Sequence, residues 1–398
     1  MPRVSVVVPY FEHQRRLDLL LTGLELQTLG PDAFEVVVAD DGSRTAPDVG
    51  ERPYPVSVVR QSDLGIRPAA ARNLGVRATT GATLVFLDGD MVPEPGYLEE
   101  MVRACDGRLL VVGRRRHADL SATTPDDLRA WLTHGSPAPP VLPEPEWLAQ
   151  GYRDSRDLAD ADLRSYRYVI AATIACPRDR YDRVGGFAEE IAGYGGEDWE
   201  LARRWWLDGG DLAHAPRAVA WHDGPDLAGR EEDQRAVKNG ETLRTAELLT
   251  DPWLRGRGLV WRHPRVVVRL GAAKAFPRAQ LVACLEGLLA AGDVGVWLGD
   301  VEHPGLSDPR VRRGLPGPET LGRCELVVDV LAPIALGPDG VAELEAAAPA
   351  EHETVVVRSP RDIALRTACA PLSPPAPLRD DLALEGWFGR RADEAARR

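Results

Sequence analysis

The sequence predicts an α/β protein: a doubly wound, mostly parallel sheet flanked by helices, followed by a smaller α/β domain. Three observations lead there. Short apolar runs alternate with stretches of helical periodicity over the first hundred residues, and 398 residues are too many for one ordinary core. A charged stretch over 226–262, read as helical, separates two such alternating regions. The expected organisation is a first domain over 1–225, a helical linker over 226–262, and an α/β domain over 263–398. That last domain carries a Pro-rich tail from Ala370, whose end is expected to be disordered.

The elements follow in order. Val4–Val8 is a continuous apolar run that stops at Pro9, as a central parallel strand would. Leu17, Leu20, Leu21 and Leu24 recur at helical spacing, so residues 14–27 read as an amphipathic helix. Val36–Ala39 and Val56–Val59 read as the second and third strands. A helix over 68–79 has Pro68 in its first turn, and Thr83–Leu87 is a fourth strand ending in Asp88-Gly89-Asp90. From about 114 to 165 the pattern is irregular and reads as loops with short helices. Regularity returns with Tyr168–Ala175. A helix then opens at Gly195-Gly196-Glu197-Asp198, and a strand over Ala218–Trp221 ends at His222. Ligands of such sheets gather at the carboxyl ends of the strands, where Pro9, Asp41 and Asp88 fall.

Composition removes several function classes. The formal net charge of −13 argues against nucleic acid as a partner, because backbone binding needs a positive field. No apolar run approaches the roughly 20 residues that span a bilayer, and because Val4–Val8 already reads as a strand, no cleavable signal peptide is expected. Five scattered cysteines without CxxC spacing fit reduced thiols in a cytoplasm. Phosphate-loop, nucleophile-elbow and HExxH patterns are missing.

Each candidate residue has a functional and a structural reading. Asp88-Gly89-Asp90 offers two carboxylates for Mg2+ or Mn2+, but Asp-Gly after a strand is also a common turn. Asp41, in Asp40-Asp41-Gly42-Ser43, either accepts hydrogen bonds from a base or ribose or belongs to a turn. Arg72 either meets a phosphate or base or is an exposed helix arginine. Glu197 and Asp198 complement a helix dipole, which would also keep Asp198 ionised as a general base, with Glu197 holding the acceptor or orienting Asp198. His222 is either a structural histidine or a further ligand to a cation held by Asp90.

Together these segments resemble a family 2 glycosyltransferase of the GT-A fold, a Rossmann-like architecture. The resemblance rests on Val4-Ser5-Val6-Val7-Val8-Pro9-Tyr10-Phe11, Asp40-Asp41-Gly42-Ser43, Ala71-Arg72-Asn73-Leu74-Gly75 and Leu87-Asp88-Gly89-Asp90. Gly185-Gly186-Phe187 and Gly195-Gly196-Glu197-Asp198-Trp199-Glu200-Leu201 resemble the C-terminal motif of galactosyltransferase-like enzymes. The resemblance implies an inverting, metal-dependent transfer from a nucleotide sugar, a UDP-sugar first, to an acceptor hydroxyl. It implies donor contacts from Pro9, Phe11, Asp41, Arg72 and Asp88. It implies a Mn2+ or Mg2+ site of Asp90, His222 and Asp88, with Asp198 and Glu197 as catalytic acids. The family's usual asparagine after the first-strand aromatic is Glu12 here.

Two other functions compete. A sugar nucleotidyltransferase would need a glycine-rich basic loop where Pro9-Tyr10-Phe11-Glu12 stands. A non-catalytic nucleotide or sugar scaffold would have no use for a base.

The second half contains a weak internal repeat. Pro264–Val268 echoes Pro2–Val6, and Leu281, Leu285 and Leu288 echo Leu17, Leu21 and Leu24. Val294–Leu298 followed by Gly299-Asp300 echoes Val36–Ala39 followed by Asp40-Asp41. Val328–Ile334 aligns without gaps on Leu84–Asp90, which places Ala332 and Ile334 where the acids stand. The expectation is a degenerate GT-A-like copy, used for acceptor binding, stability or a homodimer; an unrelated α/β domain is the alternative.

Overall fold

A computed structural model of the chain describes residues 3–193, 195–225, 234–256, 259–271, 276–290, 292–337, 339–373 and 375–378, with 382, 384, 387 and 391. The chain divides into two compact units, Met1–Trp206 with Gly210–Thr245 and Leu207–Gly209 with Ala246–Arg398. Of the linker expected over 226–262, residues 226–233 and 257–258 lie outside the described residues, as does 392–398 at the end of the tail.

The first unit begins with β1 (Val4–Tyr10), α1 (Gln14–Glu25), β2 (Phe34–Asp40), β3 (Val56–Arg60), α2 (Pro68–Arg77) and β4 (Thr83–Leu87). It continues with β5 (Met91–Pro93), α3 (Tyr97–Ala104), β6 (Leu109–Ala118), α4 (Pro125–His134), β7 (Val141–Leu142) and α5 (Glu146–Asp154). Then come β8 (Thr173–Pro177), α6 (Arg178–Val184), α7 (Glu197–Leu207), β9 (Asp211–Asp223) and α8 (Gln234–Leu248), within which the unit boundary falls. The sheet order is β3-β2-β1-β4-β8-β6-β9-β5, with β7 on β6. Its first four strands are parallel, as the βαβ rhythm requires. β8 then enters antiparallel between β4 and β6.

Alternation decides which face carries the core. Val4, Val6, Val8, Val36, Val38, Val85 and Leu87 share one cluster with Leu17, Leu21 and Leu24 of α1. All are buried, so the amphipathic stripe read from the leucines is the stripe that packs.

The expectation of loops from 114 onward needs correcting. β6 runs through Arg114, Arg115, Arg116 and His117 to Ala118, paired along its length with β9. Consecutive arginines hide a strand from a hydrophobicity pattern, because pairing is backbone chemistry and the tips of long basic side chains stay near solvent. β9 is likewise longer than Ala218–Trp221, and a register shift between Gly113 and Arg114 absorbs the mismatch.

The second unit contains β10 (Val266–Leu270), α9 (Arg278–Leu289), β11 (Val294–Trp297), β12 (Val311–Arg312), α10 (Pro318–Leu321) and β13 (Leu326–Val330). After these come β14 (Ile334–Ala335), α11 (Val341–Ala347), β15 (Ala350–His352), β16 (Val355–Arg358), α12 (Pro360–Leu365) and β17 (Ala370–Pro371). Its sheet runs β12-β11-β10-β13-β16-β15-β17, with the first four strands parallel and β16 antiparallel to β13.

One register differs from the sequence reading. Leu326, Val328 and Val330 share a cluster with Val266, Val268 and Leu281, just as Val85 and Leu87 share one with Val4, Val6 and Leu17. Val328 therefore sits on the face of Val85 or Leu87, not that of Leu84. A one-residue slip reverses every side chain, so the gapless pairing with Leu84–Asp90 is out by one.

No described helix is long and apolar enough to cross a membrane.

Candidate active site

The site is assembled at the carboxyl ends of β1 and β4, from three segments far apart in sequence. Gly89 lets the turn after β4 close on β1, since a Cβ there would stand 3.2 Å from the Pro9 carbonyl oxygen. Arg72 of α2 is 3% exposed and reaches both sides of the cleft. Its Nη2 donates to Asp88 Oδ1 at 2.6 Å, and its Nη1 donates to Glu197 Oε1 at 2.8 Å. The guanidinium also lies 5.1 Å from the centre of the Phe187 ring. One buried arginine thus ties the Asp-Gly-Asp turn to the start of α7. Each Nη thus gives one hydrogen bond to a protein carboxylate, so Arg72 positions the two acids.

His222 lies at the end of β9 with its Nε2 3.3 Å from Asp90 Oδ2. Its Nδ1 is 3.0 Å from the Gly224 carbonyl oxygen. A carbonyl only accepts, so Nδ1 carries the proton and donates. The Nε2 lone pair of the neutral ring then faces a carboxylate oxygen, an arrangement that calls for a proton or a metal ion between them. A backbone carbonyl fixing the remote ring nitrogen is the usual support of a metal-binding histidine. Burial opposes charge on both groups. Their mutual contact outweighs it, leaving Asp90 below the ordinary carboxylate value and His222 above the ordinary histidine value. Asp88 moves the other way: burial raises it, Arg72 pulls it back, and Asp90 and Glu197 add repulsion. Among the described residues no three His, Cys, Asp or Glu side chains are grouped to enclose a cation by themselves. Two protein ligands plus ligand phosphate oxygens is the ordinary arrangement for Mg2+.

α7 opens with Glu197 and Asp198 in its first turn. Gly196 before them has φ +97°, and a Cβ there would lie 2.4 Å from Thr245 Oγ1 of α8, so the approach to the helix needs glycine. Asp198 accepts from the Trp199 N–H at 2.8 Å and the Ala171 N–H at 3.4 Å. The expectation that the helix dipole lowers its pKa is overturned: burial first, and the Glu197 charge second, push Asp198 up to about 7. Desolvation in a closed site exceeds what a helix terminus contributes. The second oxygen of Glu197, Oε2, is buried without a hydrogen-bonding partner among the described residues.

Sequence searches confirm which family supplies these motifs. Residues 5–142 match the model described as glycosyl transferase family 2, and residues 157–221 match the N-terminal domain of galactosyltransferase. Over residues 5–142 the first unit is similar to family 2 glycosyltransferases. The chain is 28% identical over 256 residues to the chondroitin synthase of Pasteurella multocida, covering 59% of this chain and 26% of that protein. It is 32% identical over 221 residues to the validoxylamine A glucosyltransferase of Streptomyces hygroscopicus subsp. limoneus, covering 51% and 48%. The chain thus spans less than half the length of either relative. A solved mannosyltransferase from Pyrobaculum calidifontis, in complex with GDP-Man and Mn2+, is 19% identical, covers 62% of this chain and 61% of its own, and has a TM-score of 0.39.

Elsewhere in the first unit the expected residues divide by role. Asp41 accepts from Gln61 Nε2 at 2.6 Å and the Arg67 N–H at 2.7 Å, on the edge of the strand-end cleft. Asp40 instead closes the turn, accepting from the Ser43 N–H and hydroxyl. Phe11 is 48% exposed, an open aromatic face beside β1. Glu12, the departure from the family pattern, accepts from the Arg44 N–H at 2.7 Å and braces the same turn.

Sequence reasoning missed two supports. His117 of β6 pairs with His222 across the strands and has its Nδ1 3.1 Å from the same Gly224 oxygen. Asp223, buried, receives Arg15 Nη2 at 2.6 Å and Arg16 Nε at 3.0 Å, which anchors the end of β9 to α1. The apolar run Leu109–Val112, just before the arginines, was the signal for the strand that carries His117.

Proposed function

We propose that the first unit transfers a sugar from a nucleoside-diphosphate sugar to an acceptor hydroxyl with inversion, and that the donor is a UDP-sugar. The observation that carries this reading is the linked pair of contacts at the cleft: His222 against Asp90, and Arg72 joining Asp88 to Glu197 beside Asp198. A scaffold that only bound ligand would have no need of a buried acid held near neutrality.

In the reaction so read, Asp198 takes the proton of the acceptor hydroxyl. The acceptor oxygen forms the bond to the anomeric carbon as the bond from that carbon to the phosphate oxygen breaks. That electron pair leaves with the nucleoside diphosphate. An acid near 7 suits this task better than an ordinary aspartate, since a base works best with a pKa close to the working pH. Glu197 has its unpartnered oxygen to accept a substrate hydroxyl and its other oxygen fixed by Arg72. Asp90 and His222, with Asp88 beside them, would hold Mn2+ or Mg2+. When bound, the ion supplies positive charge against the departing phosphates. Asp41 and Phe11 line the donor side. The domain limits 1–225 and 263–398 are retained in this reading, with the second domain a GT-A-like copy whose sheet order supports the repeat and whose strand ends carry no Asp-Gly-Asp.

The test is a panel of nucleotide sugars incubated with the purified chain, with Mn2+ or with a chelator, following release of nucleoside diphosphate. Release with one donor and Mn2+ is expected. Metal-dependent nucleotide binding with no release or transfer from any donor would instead establish the scaffold.

A further inference from the structure

The end of β9 is fixed by several neighbours at once. The Gly224 N–H donates to the Ala118 carbonyl at 2.8 Å, and the Asp223 N–H donates to the Asp90 carbonyl at 3.0 Å. The Asp223 carboxylate takes Arg15 and Arg16 of α1. The Gly224 carbonyl takes both histidines of the strand pair, Nδ1 of His222 at 3.0 Å and Nδ1 of His117 at 3.1 Å. A carbonyl oxygen has two lone pairs and no proton, so both nitrogens donate and both lone pairs are used.

His117 is fully buried, with its ring centre 5.0 Å from that of His222. An apolar side chain would fill the same place at lower cost, because a buried polar ring has to be hydrogen-bonded. Packing alone therefore does not account for a histidine there.

What the second donor adds follows from a competition for the His222 proton. Nε2 of that ring faces Asp90 Oδ2 at 3.3 Å, and a carboxylate is a stronger acceptor than a carbonyl. A neutral ring is thus drawn toward the tautomer with its proton on Nε2, which leaves no lone pair there for a cation. The opposite tautomer prevails only if the Gly224 carbonyl is aimed well at Nδ1. Side-chain crowding does not aim it: Gly224 has φ +107°, and a Cβ there would meet no atom of the described residues within 4 Å. His117, which pairs with His222 from the neighbouring strand, supplies that constraint.

We propose that His117 is a positioning residue for the cation site: it orients the Gly224 carbonyl, which keeps the proton of His222 on Nδ1 and leaves Nε2 able to bind a divalent cation. The cation part rests on the transferase reading; the tautomer part does not.

The experiment uses the full chain labelled with 15N-histidine, free of donor and metal. The pH is raised until His222 is neutral, and its tautomer is read from the shifts of the ring nitrogens. The signal lost in His222→Gln gives the assignment. Affinity for UDP is then measured by calorimetry with and without Mn2+. His117→Asn carries an amide N–H near the place of Nδ1, whereas His117→Gln carries it one bond farther out. The Nδ1–H tautomer is expected to predominate in the unaltered chain and in His117→Asn, and to lose its predominance in His117→Gln. UDP affinity with Mn2+ should fall about tenfold in His117→Gln, recover in His117→Asn, and be the same in all three chains without metal. A merely structural role would lower affinity with and without Mn2+ alike, or in both variants equally. Either result, or a tautomer unmoved in His117→Gln, overturns the proposal. An unaltered chain whose His222 carries its proton on Nε2 overturns it without any variant. Tautomers as expected, with no effect of Mn2+ on UDP binding by the unaltered chain, would sink the cation reading and leave the hold of His117 on His222 standing.

Discussion

The two sheets of this chain begin alike and end differently. Each runs third-second-first-fourth in parallel strands, followed by an antiparallel fifth. At the end of β4 stand Asp88, Gly89 and Asp90, with a histidine on one carboxylate and an arginine on the other. At the end of β13 stand Leu331, Ala332 and Pro333, while within the strands Arg269 and Asp329 face each other across β10 and β13 in a two-bond pair at 2.6 and 2.7 Å. An arginine pairs with an acid in both sheets, but in the second no further carboxylate follows in the turn after the strand. The same apolar pattern therefore builds both sheets, while a handful of residues past the strand ends decides whether chemistry is available.

The contrast can be broken at several points. The largest effect is expected from Asp198→Asn, which should keep donor affinity and lower the rate of transfer about 10²–10⁴-fold. Steady-state rates near normal would remove Asp198 as the base. Arg72→Met should follow, because it strands Asp88 and Glu197 without their shared counter-ion. A loss of about 3 kcal/mol is expected in denaturant titration, and stability within error of the parent would show that the bridge is not structural. Asp90→Ala should weaken Mn2+-dependent nucleotide binding at least about 10–100-fold, measured calorimetrically, and leave any metal-independent part. Affinity that did not change would separate Asp90 from the cation.

The pH dependence has a definite sign. Asp198 is raised from about 3.9 when unfolded to about 7 when folded. Its contribution to stability is therefore fully present below pH 4 and is lost as pH climbs through 7. The base-competent form gains in the same window. Transfer should fall about tenfold per pH unit below 7, and Asp198→Asn should be more stable than the parent at pH 8 but not at pH 4. A profile flat from pH 5 to 8 would contradict the assignment. The smallest effect belongs to the second sheet: Arg269→Ala removes a pair whose side chains are about a third exposed, costs at most about 1 kcal/mol, and leaves transfer unchanged. A loss of transfer there would mean the second unit has a direct part in the reaction.

What could be read without coordinates was what periodicity and turn chemistry encode. The first four strands, the leucine-striped α1 and the opening of α7 at its paired glycines all fall where the residues place them, because alternation and helical spacing report local geometry. The acids at strand ends were legible for the same reason: a parallel sheet delivers its loops to one edge. The strand through Arg114–His117 was not, since its stability comes from pairing with β9 a hundred residues later. Nor was the one-residue register of β13, which only the packing face distinguishes.

The charge state of the site belongs to the assembled fold alone. From the residues, Asp198 at a helix start should be a strong acid, and Arg72 is either a ligand of a phosphate or base or an exposed helix arginine. Enclosure reverses the first, because burial and Glu197 act on Asp198 from outside its own helix. It buries the second, because Asp88 and Glu197, far apart in the sequence, reach the same guanidinium. Local order is set over a few residues of chain, whereas electrostatic energy depends on distances and solvent access that exist only once distant segments have met.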